Sequence, residues 1–75
     1  MMTRIEDSVA DPTPGLLVES KYRVQRHVTF ARDSEIRYTE IITLNGERHE
    51  RPGGCLLTTW RAWCRKNAAA EVLPF

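Results

Sequence analysis

The sequence predicts an α+β fold, a three-stranded antiparallel meander covered on one face by a C-terminal helix. Three observations carry this expectation. Two stretches between Leu17 and Leu44 alternate apolar and polar residues with the two-residue period of half-buried strands. Asn45-Gly46 then supplies the strongest short-range hairpin signal. Finally, Leu56, Leu57, Trp60, Trp63 and Cys64 recur at three- and four-residue steps, which places them on one side of a helix. With 75 residues the chain has the size of one small domain, whose single core is only marginally sufficient.

Residues 1–15 contain Asp11-Pro12-Thr13-Pro14-Gly15, show no usable period and hold Glu6, Asp7 and Asp11 against Arg4 alone. They are expected to form a flexible acidic leader, with residues 16–75 as the β-β-β-α domain. The first strand is expected from about Leu17 to Phe30, with Tyr22, Val24, Arg26, Val28 and Phe30 on one side. Arg32-Asp33-Ser34 supplies turn residues. The second strand follows from about Glu35 to Leu44, with Ile36, Tyr38, Glu40, Ile42 and Leu44 on the same side. A three-residue turn pairs Phe30 with Ile36, Val28 with Tyr38, Arg26 with Glu40, Val24 with Ile42 and Tyr22 with Leu44. Apolar residues then face apolar residues, and the one inward Arg faces the one inward Glu. A two-residue turn at Asn45-Gly46 brings Arg51 of a short, polar third strand (Glu47 to Arg51) against Glu40 from the other side. Both turns thus predict one row, Arg26–Glu40–Arg51, in which the charges fix the register.

Pro52-Gly53-Gly54 is expected to end the third strand, and the helix to follow, continuing through Ala68-Ala69-Ala70 until Pro74 stops it. The predicted core is Tyr22, Val24, Val28, Phe30, Ile36, Tyr38, Ile42, Leu44, Leu56, Leu57, Trp60, Trp63 and Cys64. Val72, Leu73 and Phe75 are expected to fold back on the domain edge.

Composition narrows the function. The formal net charge is +1 and no glycine-rich phosphate loop, nucleophile elbow or paired-carboxylate spacing occurs. The chain therefore reads as non-enzymatic and without cofactors. His27 and His49 fall on opposite sheet faces and the cysteines form no close pair, so no metal is expected. No apolar run is long enough for a membrane span and no export signal is present. The expected setting is cytoplasmic, with Cys55 and Cys64 as reduced thiols.

Candidate partner-binding residues are Arg23, Gln25, His27, Arg37 and Arg48 on the outer sheet face, with Arg61, Arg65 and Lys66 on the exposed helix side. Two resemblances bear on them. Three antiparallel strands and a C-terminal helix resemble, in architecture, the DNA-binding domains of plant ethylene-response factors and some transposon integrases. There, arginines and a tryptophan on the open sheet face enter the major groove; here both tryptophans fall on the helix. Size and simplicity also resemble phage-encoded proteins that bind host machinery such as RNA polymerase or defence complexes. The leading expectation is a small regulatory or inhibitory protein acting by protein–protein contact, because nucleic-acid domains are commonly far more basic. A duplex DNA-binding module using Arg23, Gln25, Arg37 and Arg48 is one alternative. A structural homodimer through the third strand or the C-terminal tail is the other alternative, and the expected assembly state is a monomer or a weak homodimer.

Overall fold

The computed structural model describes residues 7–72. Its elements are α1 (Asp7–Ala10), β1 (Leu17–Glu19), β2 (Gln25–Arg32), β3 (Glu35–Leu44), β4 (Glu47–Leu56), α2 (Leu57–Lys66) and β5 (Ala70–Glu71). The strands form one antiparallel sheet of order β4-β3-β2-β1-β5. The expected meander β2–β3–β4 is present with α2 on its inner face, but the sheet has five strands rather than three.

The first correction is local. The single strand expected from Leu17 to Phe30 is broken at Ser20, whose Oγ accepts from the backbone N–H groups of Tyr22 and Val24 at 3.1 and 3.2 Å. Arg23 adopts a left-handed conformation, φ 66°, and the Ser20 N–H donates to the Val24 carbonyl. A serine thus folds the backbone onto itself and converts one long strand into the β1–β2 hairpin. Tyr22 lies at its tip, 66% exposed, and is not a core residue.

The β2–β3 turn is two residues, not three. Asp33 and Ser34 have φ of 51° and 67°, and Arg32 pairs with Glu35. Between Val28 and Phe30 the register slips by one at a β-bulge. The shorter turn and the extra residue cancel. Val28 therefore meets Tyr38 and Arg26 meets Glu40, as expected, while Phe30 meets Arg37 and Ala31 takes the place opposite Ile36. The bulge turns Phe30 to the outer face, 37% exposed.

The Asn45-Gly46 turn, with both φ values positive, pairs Leu44 with Glu47 and Glu40 with Arg51. β4 does not stop at Pro52 but continues to Leu56. Two features allow this. Counting the alternation of hydrogen-bonded and open pairs from the turn puts Pro52, opposite Thr39, at an open pair, so its missing N–H faces the sheet edge. Gly53 lies against the Tyr38 ring, where a Cβ would come within 2.6 Å of the ring carbon Cε1. Leu44, 56% exposed near the hairpin tip, is not core, and neither is Leu56, 61% exposed.

α2 presents Trp60 and Cys64, both fully buried, to Val28 and Ile36, with Leu57, Trp63 and Tyr38 packed around them. It ends at Lys66 rather than running on through the alanines. The N–H of Ala69 reaches the Cys64 carbonyl at 2.9 Å and that of Ala68 the Arg65 carbonyl at 3.4 Å, with Ala68 at φ 50°. This is the Schellman pattern. It carries Ala69 into the core and lets β5 pair with β1.

The segment expected as a leader splits. Residues 1–6 lie outside the described residues. From Asp7 onward the chain is folded, because Val9 is fully buried beside Trp60 and its carbonyl accepts the indole Nε1–H at 2.8 Å. Val72 donates its N–H to the Leu17 carbonyl. Leu73 and Phe75, expected on the same edge, lie outside the described residues.

Candidate functional site

The Arg26–Glu40 part of the inner charge row is closed to partners, whereas Arg51 at its edge is open to solvent. Glu40, 8% exposed, accepts from Arg26 Nε at 3.1 Å through Oε2. Its Oε1 accepts from Arg51 Nε at 3.2 Å and Nη2 at 2.9 Å. The Arg26 guanidinium also lies between two rings, 4.3 Å from the Tyr38 centroid and 3.8 Å from that of Trp63. A cation held by one carboxylate and two π faces is fully used in placing β2, β3 and α2. Burial pushes the Tyr38 hydroxyl and the Cys55 thiol above their ordinary values, and the Cys64 thiol to about 12. These groups stay protonated at neutral pH and offer no activated nucleophile. Among the described residues, no cluster of three His, Cys, Asp or Glu side chains could hold a metal ion. No helix there is long and apolar enough to cross a membrane.

The outer face is less basic than its sequence suggests. Arg37 Nε donates to Glu35 at 2.6 Å and Arg48 Nη2 to Glu50 at 3.0 Å, each a same-strand neighbour two residues away. Gln25 donates to Glu19 at 3.2 Å. Arg61 leaves the solvent side of α2 to bind the Ala10 carbonyl at 2.8 Å and the Asp11 carboxylate. Arg23 sits in the β1–β2 turn, and Arg65 and Lys66 sit in the last turn of α2, where cations favour the helix C-terminus. His27 is exposed opposite Thr39. The eight candidate residues therefore form no continuous stripe. Two of them, His27 and Arg48, do come together, lining a cavity of about 430 Å³ with Leu17, Val72 and Ile41, which lies on the outer side of β3 and is only 7% exposed.

The outer face also carries two large apolar side chains among its polar ones. Phe30 and Leu56 stand one row apart, on β2 and β4, and the Arg37 guanidinium lies 5.2 Å from the Phe30 ring centre. Beside Leu56, the residues Pro52 and Gly54 on one side and Asp33, Glu35 and Arg37 on the other border an open groove of about 590 Å³, and Gly54 adds no side chain to fill it. Phe30 and Leu56 are the two apolar residues exposed here. Both residues read from sequence as core. A two-residue reading of Asp33-Ser34 would have turned Phe30 outward. Leu56 precedes the first turn of α2, where the helix period ceases to bind it to the apolar side.

The fold and this surface define a small α+β protein with an exposed aromatic–aliphatic patch on its sheet. Comparison with protein-family models, with curated proteins and with solved structures gave no match for the chain.

Proposed function

We propose that this chain is a small non-enzymatic regulatory protein that acts by holding another protein against the outer sheet face, over Phe30, Arg37 and Leu56. The observation that supports this reading is the patch itself, two large exposed apolar side chains with Arg37 between them, Arg37 and Leu56 also bordering a groove. Aromatic and arginine side chains are over-represented among residues that dominate protein interfaces. Duplex DNA is the weaker reading, because Glu35, Glu50 and Glu19 stand beside Arg37, Arg48 and Gln25, and these carboxylates would face the phosphates.

Leu56 provides a clean test. It is the residue preceding α2, with φ −75° and ψ 155° and no side-chain cap. Asparagine is a preferred residue for that position. Leu56→Asn should therefore preserve or slightly raise stability while removing the apolar contact. A partner captured from lysate by the wild-type protein should be weakened roughly 10- to 100-fold by this substitution and by Phe30→Ser. Capture insensitive to both substitutions would defeat the proposed surface. Steeply salt-dependent binding to duplex DNA would favour the alternative.

A further inference from the structure

β4 is an edge strand, and among the described residues its only strand neighbour is β3. Residues 47–52 are all exposed. Edges are commonly blunted by charge, so the order of the charges decides what this edge does. It reads Glu47-Arg48-His49-Glu50-Arg51. Reversed about His49, that order meets itself with opposite signs, Glu47 against Arg51 and Arg48 against Glu50, so the exposed same-strand pair Arg48–Glu50 is exchanged for two cross-strand pairs.

The backbone agrees with this alignment. His49 pairs with Ile42 at a position where its N–H and carbonyl point toward β3, so those of Arg48 and Glu50 point away from the sheet. Two antiparallel copies centred on His49 would exchange both hydrogen bonds at each Arg48–Glu50 pair. Side-chain faces match as well, since Glu47, His49 and Arg51 are inner and Arg48 and Glu50 outer. The nearest other alignments that keep the faces matched are those shifted by two residues. Those set Glu50 against Glu50 or Arg48 against Arg48, and like charges directly opposite are destabilising. Pro52 limits the overlap from the other end, because it offers no N–H.

We propose that the β4 edge binds a second copy of this chain, forming a two-fold antiparallel pair centred on His49 and extending the sheet across both molecules. Arg51 bonds Glu40 through Nε and Nη2, leaving Nη1 for Glu47 of the copy. α2 begins beyond the far end of β4, after Leu56, so the helices stay clear of the overlap. The short overlap makes this a weak, reversible association, below the roughly 1,200 Å² of standard interfaces. It does not depend on the Phe30–Leu56 surface, which remains uncovered.

Sedimentation velocity over a concentration series tests the pairing. The wild-type chain should move from monomer to dimer. Arg48→Glu and Glu50→Arg, both exposed and outside the core, should each weaken the dimer about ten-fold or more. An equimolar mixture of these two variants should restore it, because each reversed charge then finds its opposite. In a Cys55→Ser background, His49→Cys with an added oxidant should cross-link copies, since the self-facing open pair lies about 4.5 Å apart at Cα, within disulfide range. A wild-type chain that stays monomeric at its solubility limit would overturn the proposal. So would dimers in both single variants at wild-type strength, or a mixture that does not recover.

Discussion

Glu40 is the residue on which the inner face turns. Its carboxylate is the only one of the described residues that accepts from two arginines. The two partners differ in surroundings, since the Arg26 side chain is 12% exposed and that of Arg51 75%. Removing the carboxylate charge with Glu40→Gln leaves the Arg26 guanidinium buried without a counter-charge, which costs about 3 kcal/mol or more. Arg51→Ala breaks an ion pair open to solvent and should cost less than about 1 kcal/mol. Denaturant unfolding of both variants checks the ratio; equal losses would mean that Arg26 is compensated by its two rings alone. The thiols make a second prediction. Cys64 is held protonated by burial, at about 12 against an ordinary 9.0. A group whose folded value is raised contributes stability fully present below the unfolded value and lost as pH rises through the folded one. Unfolding free energy should therefore fall from about pH 9 toward pH 12, with Cys55 and Tyr38 acting in the same direction. At neutral pH a thiol reagent should label Cys64 only on unfolding. Rapid labelling of the folded chain would contradict the burial.

At the scale of elements, what could be read from sequence depended on whether a side chain or a distant contact set the backbone. The Arg26–Glu40–Arg51 row was legible because charge and apolar pairing constrain residue counts, and a bulge plus a short turn adds up to the same count as a longer turn. The faces of Phe30 and Ala31, which depend on where the extra residue sits, were not. Neither was the Ser20 reversal, because Leu17-Val18-Glu19-Ser20-Lys21-Tyr22 carries no Gly, Pro or Asn to mark a turn; its one signal is that residues 17–21 do not alternate. Of the proposed surface, Arg37 was legible as an outer residue, whereas Phe30 and Leu56 read as core for the reasons of register and helix onset described above. The alanine run misleads in another way. Helix propensity favours continuation, yet burial of Ala69 and pairing of β5 with β1 outweigh a few tenths of a kcal/mol per residue. Ala68 bears the consequence, holding φ 50° where glycine is usual. Ala68→Gly should relieve that strain and stabilise the chain by about 0.5–1 kcal/mol, offset in part by added freedom in the unfolded chain. Thermal unfolding should show a Tm higher by a few degrees. A lower Tm would show that the helix end is not under strain.

At the scale of the whole molecule, the N-terminal segment is part of the core's cover. The β2–β3–β4 meander and a ten-residue helix leave one side of Trp60 open, and Val9 closes it. That role had no sequence signal, because one buried valine in an acidic, proline-rich stretch sets up no period. The physical demand is nonetheless clear. A buried indole N–H needs an acceptor, and the Val9 carbonyl provides it. Arg61 then clamps the next carbonyl, that of Ala10, and Asp11 beside it. Losing a buried valine costs about 1.5–3 kcal/mol, and the two hydrogen bonds together add about 2–4 kcal/mol. For a chain this small, whose total is expected near the low end of roughly 5–15 kcal/mol, that is most of the stability. Deleting residues 1–10 should therefore shift Trp fluorescence to the red and leave the chain largely unfolded at room temperature. Val9→Asp in the full-length chain should lower the unfolding midpoint in the same direction, because it places a carboxylate against the indole. A free leader would predict no change in either experiment, so a truncated chain with the wild-type spectrum and midpoint would mean that Trp60 is covered without it.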